Sequence, residues 1–308
     1  MSNAIVIFVN IYTSVMNKIK WLMLCIVSTS NVVAQQPNSK TTERQSTSIY
    51  KSLQLAKPTK VKNYISTRYD APYNTLHQVW YETFAEEKFL EKMAKVLNSV
   101  FKINKPLTLS CTECNTVNAF YDPEKKELIL CYELLEFIKN TYESRYNNPD
   151  SLGTKIGEVL TFIYFHEIGH ALIDNLDVPL TGKEEDAADY FAFYILASNQ
   201  VAEGVKATME GATFFKEFYE LRQNDTTYIR LKSEGKEPPL PFWDEHSFEM
   251  QRFYTLFSLI YGSDPIKYDY LINDGYLGYR RPQNAVSEYG KIKRGWDRVL
   301  KNYIKWHK

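Results

Sequence analysis

Apolar residues recur at helical spacing between about Tyr73 and Phe101, at Leu76, Val79, Trp80, Phe84, Phe89, Leu90, Met93 and Leu97. Three- and four-residue intervals of this kind predict one long amphipathic helix that covers a sheet. Beyond it the period shortens. Pro106-Leu-Thr-Leu-Ser110 and Asn118-Ala-Phe-Tyr121 read as strands, Asp122-Pro-Glu-Lys-Lys126 as a turn, and Glu127-Leu-Ile-Leu-Cys131 as the returning strand. After Cys131 helical spacing takes over: Tyr132 to Ser144, Ser151 to about Asp174, Gly182 to about Gln223, Glu245 to Tyr261, and Val286 onwards. Gly262-Ser-Asp-Pro265 closes one helix and opens the next. The pattern predicts an α+β fold: a small antiparallel sheet packed on a mostly helical domain over residues 61–308, with no internal repeat and no dividing linker.

The N-terminal part reads differently. Asn17, Lys18 and Lys20 precede an apolar run from Trp21 to Val27, and Val32-Val33-Ala34 supplies small residues before Gln35, which together resemble an export signal over residues 1–34. A second apolar stretch, Ala4 to Val15, lies upstream, so Met16 is an alternative start. Neither run reaches the roughly 18 residues that span a bilayer. The alternative, an uncleaved membrane anchor, stays open, but the expectation is a protein exported to the periplasm or the exterior, with no stable membrane insertion after cleavage. Residues 35–60 are rich in Gln, Ser, Thr and Lys and too poor in apolar residues to bury a core, which predicts a flexible polar arm.

Composition narrows the partners. Of 308 residues 44% are hydrophobic, enough for a sizeable core, and 37 Lys plus Arg balance 37 Asp plus Glu. With no net field to draw the chain to a polyanion, nucleic acid is not an expected partner. The 23 tyrosines read as amphipathic packing, with a sugar- or peptide-binding surface as the alternative. Export implies an oxidising compartment, where Cys111, Cys114 and Cys131 remain after cleavage. Cys114 and Cys131 flank the strand hairpin and are placed to bridge it. Structural zinc held by Cys111-x-x-Cys114 and Cys131 is the alternative, although no fourth ligand is nearby.

Chemistry concentrates in His166-Glu167-Ile168-Gly169-His170, an H-E-x-x-H string inside an apolar helical segment. Histidines at i and i+4 share one helix face, and each would need a partner if buried. A shared zinc ion satisfies both and gives Glu167 the role of catalytic base. A third ligand is required. The pattern of one large class of zinc peptidases needs Gly at 173 and His at 176, where the chain has Ile173 and Leu176. Asp174 lies on the same face as the histidines, but eight helical residues rise about 12 Å, so it reads as a supporting group behind the ligands or as a helix cap. Glu185 is the better third ligand. Thr181-x-x-Glu184 reads as a capping box that opens a helix, Glu185 projects from its first turn, and Asp189 follows at i+4, placed to accept a hydrogen bond from the outer nitrogen of a ligating histidine. Acidic residues also favour helix N-termini for dipole reasons alone.

His166-Glu-x-x-His170 followed by Glu185-x-x-x-Asp189 resembles the gluzincin metallopeptidases, the thermolysin-like zincins. That resemblance implies a zincin-like fold and one catalytic zinc ion. It makes Asn118-Ala119-Phe120 an edge strand whose Asn118 and Ala119 bind the peptide substrate, and it gives a downstream histidine, here His246, the task of steadying the oxyanion, with simple capping as the alternative. Arg252 follows His246 at a spacing similar to the His-x5-Arg of integral-membrane zinc peptidases. The stretch from Cys114 to Ala192, with Trp243-Asp-Glu-His246 and Tyr261-Gly-Ser-Asp-Pro265, more closely resembles a family of bacterial secreted proteins assigned as metallopeptidases. In that family two further cysteines stand where this chain has Ser258 and Ala285. His77 and His307 have no evident partners and read as surface or packing residues. The expected activity is hydrolysis of peptide bonds. A zinc-bearing binding protein without activity and a zinc amidohydrolase on a non-protein amide are the alternatives. Natural substrate and oligomeric state are not legible.

Overall fold

The computed structural model describes residues 64–146, 148–236 and 244–305. The export segment, the polar arm, Trp243 and His307 lie outside the described residues. The elements run β1 (Ile65–Tyr69), α1 (Thr75–Glu86), α2 (Phe89–Val100), β2 (Leu107–Thr112), β3 (Ala119–Asp122), β4 (Glu127–Cys131), α3 (Tyr132–Glu143), α4 (Pro149–Asn175), α5 (Glu184–Ala197), α6 (Ala202–Gln223), α7 (Thr226–Ser233), α8 (Glu249–Ser263), a short α9 (Tyr270–Asn273), a 3-10 turn (Arg281–Asn284) and α10 (Ala285–Leu300). The class is α+β, as the hydrophobic pattern predicts, and one buried apolar cluster extends from Ile65 to Leu300.

The sheet departs from the expected antiparallel arrangement. Its order is β1-β2-β4-β3, with β1 parallel to β2, β2 parallel to β4, and only the β3–β4 hairpin antiparallel. Parallel neighbours need a crossover connection, and α1 with α2 supplies it between β1 and β2. Strand β1 alternates, with Ile65, Thr67 and Tyr69 turned inward and Ser66 and Arg68 exposed, but only Ile65 is buried, so its hydrophobic signal is weak. β4 lies under cover along its whole length, in keeping with its unbroken apolar run.

The long N-terminal helix is two. Lys88 adopts a left-handed conformation at φ 53°, which ends α1 and lets α2 start in a new direction. The turn stacks Phe84 against Phe89, ring centroids 4.7 Å apart, and buries the apolar stripe of α2 from Phe89 to Val100. The predicted helix from Gly182 to Gln223 is likewise broken, at Ser198 to Val201, where Gln200 has φ 61°. His77 is buried rather than superficial, and Glu113 accepts from its Nδ1 at 2.7 Å.

Helix α4 is the axis of the helical half. The Asn148 side chain accepts the Asp150 N–H at 2.8 Å, and Pro149 occupies the first turn. From there the helix runs 27 residues and packs against α3, α5, α6 and β3. Cys114 and Cys131 form a disulfide that ties the segment before β3 to the end of β4, so the structural-zinc alternative falls, and Cys111 is buried as a free thiol. Among the described residues no helix is long and apolar enough to cross a membrane.

Candidate metal centre

His166, Glu167 and His170 lie in the C-terminal half of α4, on the turns that face α5. Gly169 permits the close approach: a Cβ there would meet the Ala188 backbone at 3.1 Å, tighter than ordinary packing, so a larger residue would push α5 and its acidic face outward. Helix α5 starts at Glu184 with Lys183 as N-cap and no side-chain cap. The expected Thr181/Glu184 capping box does not form. Glu184 instead reaches across to His170, accepting from Nδ1 at 2.8 Å.

Three histidines are oriented in the same way. Asp189 Oδ1 lies 2.8 Å from His166 Nδ1, Glu184 Oε1 2.8 Å from His170 Nδ1, and Asp244 Oδ1 2.9 Å from His246 Nδ1. A carboxylate can only accept, so each Nδ1 holds a proton, and in its neutral form each ring would leave the Nε2 lone pair free for a ligand. All three Nε2 atoms turn towards one oxygen, Glu185 Oε2, at 3.2 Å from His166, 3.4 Å from His170 and 3.0 Å from His246. His166 Nε2 and His170 Nε2 are themselves 3.2 Å apart.

These distances suit ion pairs, yet Glu185 Oε2 is a buried oxygen to which no group among the described residues is aligned as a hydrogen-bond donor. Such an atom is costly unless something else satisfies it. His166, His170 and Glu185 each offer one ligand atom, and those atoms all lie within 4.8 Å of one another. Two imidazole nitrogens and a carboxylate are a donor set for a divalent metal, and a cation held among them satisfies the oxygen and both lone pairs at once. The residues present therefore fit a metal ion.

Asp189 is held in turn. Arg252, on α8, donates to both of its carboxylate oxygens, Nε to Oδ2 at 2.8 Å and Nη2 to Oδ1 at 2.8 Å, and its guanidinium lies 3.7 Å over the ring of Phe215. Burial works against the Asp189 carboxylate, but Arg252 and His166 override it and hold the group below the usual range. Burial likewise opposes the charge on Glu185, and the surrounding histidines outweigh it and lower its pKa. His170, which burial pushes down, is raised to about 9 by Glu185, Glu167 and Glu184. Glu167 goes the other way: burial raises its carboxyl more than His166 and His170 lower it. It makes no hydrogen bond or ion pair among the described residues.

A cleft of about 650 Å³ opens over these groups, with Asn118, Ala119, Phe120 and Tyr121 of the β3 edge on one side and His166, Glu167, His170, Glu185 and His246 on the other. Strand β3 ends the sheet, so one side of its backbone is unpaired. The Cys131 N–H donates to Asn118 O at 3.2 Å, which makes Asn118 and Cys131 a bonded pair. By the alternation of an antiparallel ladder, Ala119 and Tyr121 then turn their N–H and C=O groups to the free edge.

Asp174 stands apart from the histidines. It accepts from Tyr121 OH and pairs with Lys126 at 2.8 Å, joining the end of α4 to the β3–β4 hairpin. Glu184 and Asp244 were not singled out by sequence reasoning as supports for histidines. Their only signal is adjacency: each sits within two residues of a proposed site residue.

The centre has the parts of a metal-dependent hydrolase site, with side chains that could ligate a metal, a buried carboxylate and a cleft bordered by an edge strand. Residues 69–300, more than half of the chain, match the model of the family DUF4344, described as "Putative metallopeptidase". The protein belongs to this metallopeptidase family. No curated protein and no solved structure matches the chain.

Proposed function

We propose that the protein is a zinc-dependent peptidase of the gluzincin kind, with His166, His170 and Glu185 as ligands and Glu167 as general base. The observation that carries the reading is the convergence of histidine Nε2 atoms on a buried Glu185 oxygen to which no donor is aligned. Two histidines and a glutamate that leave room for a fourth group are the ligand set of catalytic rather than closed structural zinc. When bound, zinc polarises a peptide carbonyl and lowers the pKa of water from about 16 towards 7.

The chain's own residues supply the rest. A peptide lies along β3 as an added strand, bonded to the outward backbone groups of Ala119 and oriented by the Asn118 side chain. Glu167 is buried, faces the cleft and is held by no other bond, so it is free to accept the proton of the attacking water and deliver it to the leaving amine. Its raised pKa suits a group that must both take and release that proton. His246 stands at the cleft mouth with its Nδ1–H on Asp244, and the Glu185 carboxylate raises its pKa. In its charged form it presents an Nε2–H to the oxyanion of the tetrahedral intermediate. Asp189 and Arg252 hold His166 in the tautomer that leaves Nε2 for the metal. Residues 1–34 are proposed as an export signal, which places this activity in the periplasm or outside the cell.

The test is digestion of an unfolded protein and of a mixed peptide library by the zinc-loaded protein, with products mapped by mass spectrometry. Wild type is expected to cleave, and Glu167→Gln to retain zinc but lose cleavage. A zinc-loaded wild type that cleaves nothing, or a Glu167→Gln variant that cleaves as well as wild type, contradicts the reading.

A further inference from the structure

The last helix segregates charge that the balance of the whole chain conceals. Between Arg280 and Lys305 stand eight Lys or Arg and two acidic residues, although the two kinds are equal in number overall. Both of those acids are already matched: Arg281 holds Glu288 at 2.7 Å, and Lys293 holds Asp297 at 2.8 Å. Lys291, Arg294, Arg298 and Lys301 are exposed, and none of them forms an ion pair among the described residues. Their intervals of three, four and three residues put all four in one row along a helix face, about 15 Å long. The opposite face of α10 is committed to the core, with Trp296 and Leu300 buried and Tyr289, Ile292 and Val299 packed against the same cluster. A second part of the chain extends the row. Lys102, just after α2, is exposed and donates to Asn302 O at 2.8 Å, and the bridge between Phe101 and Ile304 holds it beside Lys301.

We propose that this row docks the protein on the surface of a bilayer that contains anionic phospholipid. The proposal is independent of the metal centre. Its basis is charge and shape. A basic helix face attracts phosphate-bearing surfaces, and here the cations are not neutralised from within the protein. The row stands on the convex outer side of a helix rather than in a cleft, so it fits a broad surface better than one small ligand. Because the chain is neutral overall, the rest of it carries the compensating negative charge. A polyanion long enough to run past the row would be repelled by that excess, whereas a flat sheet of headgroups touches the row alone. Contact is electrostatic and superficial, since the apolar face of α10 is buried in the fold and is not available for insertion.

The test is sedimentation of the full chain with vesicles of phosphatidylcholine alone and with vesicles that also contain about 30% phosphatidylglycerol. The readout is the ratio of the two partition coefficients, because an apolar N-terminal segment would bind both kinds of vesicle alike. Wild type is expected to prefer the anionic vesicles by about a hundredfold or more at about 0.1 M salt, and to lose most of that preference at about 0.5 M. Each cation at the surface is worth about fivefold, so Lys291→Gln with Arg298→Gln should cut the preference about 25-fold. Lys206→Gln with Lys232→Gln makes the same change in net charge at exposed positions of α6 and α7, and should leave the preference within about twofold of wild type. Equal binding to the two kinds of vesicle, or equal losses in the two variants, overturns the proposal. A wild type that ignores anionic vesicles but binds heparin tightly also overturns it and assigns the row to a soluble polyanion.

Discussion

Helix α4 carries buried charge in both of its halves, and the two clusters are built on opposite plans. Towards the N-terminus, Lys155 pairs with Glu158 at 3.1 Å and with Glu210 of α6, while Arg145 just before the helix grips Glu217. Every carboxylate there faces a cation of the protein. Towards the C-terminus, His166 and His170 turn their Nε2 atoms towards one Glu185 oxygen to which no donor among the described residues is aligned. The first cluster is complete as it stands and ties helices together. The second is complete only when a cation from outside joins it. Burial of charge alone does not mark a functional site; the way the charge is balanced does.

Substitutions in each cluster separate the two plans. The largest effect is expected from Glu167→Gln, which removes the base without touching a ligand: peptide hydrolysis should fall about 10²- to 10⁴-fold, read from kcat, while bound zinc stays stoichiometric. Next is Asp189→Ala. His166 loses the acceptor that fixes its tautomer, and zinc affinity should drop about 10- to 100-fold in a chelator competition. The half-buried Arg252 also loses its partner, for a cost in stability of up to about 3 kcal/mol by denaturant titration. Glu210→Gln is the matching change in the other cluster and should destabilise the fold while leaving zinc affinity unchanged.

His170 has its pKa raised to about 9 in the metal-free protein, and zinc takes the neutral ring, so binding must expel a proton. Apparent zinc affinity should therefore climb by up to about tenfold per pH unit from pH 7 and level off above 9. The sign for the metal-free fold is the reverse. The raised pKa contributes stability fully present below about 6.5, the unfolded value, and lost as pH rises through about 9. A zinc affinity flat between pH 7 and 9 would remove the proton linkage. The smallest effect at the metal is expected from loss of the Cys114–Cys131 disulfide, whose cysteines are 17 positions apart. Cys114→Ser with Cys131→Ser should cost about 3 kcal/mol of stability and leave zinc stoichiometry as it is.

Much of the centre was legible because its spacing is set by helix geometry. His166 and His170 share a face at i and i+4, and Glu185 and Asp189 repeat that interval on the next helix, so the structure finds all four within reach of one another. What escaped depends on direction rather than interval. Glu184 reads as a cap from its place in the chain, yet its side chain goes to His170. Asp174 shares the histidines' face but lies too far along the axis and bonds the β3–β4 hairpin instead. The mixed sheet was hidden because parallel pairing is decided by the crossover through α1 and α2, which no local pattern in β1 or β2 reports. The break at Lys88 depends on a single left-handed residue inside an otherwise helical stretch.

If His166, His170 and Glu185 hold one catalytic zinc ion, elemental analysis of the purified protein and its variants will show it. Wild type and Asp174→Ala are expected to carry one zinc per chain, and Glu185→Ala none. A wild type without zinc, or an Asp174→Ala variant that loses the metal while Glu185→Ala keeps it, would contradict the ligand set and the mechanism built on it.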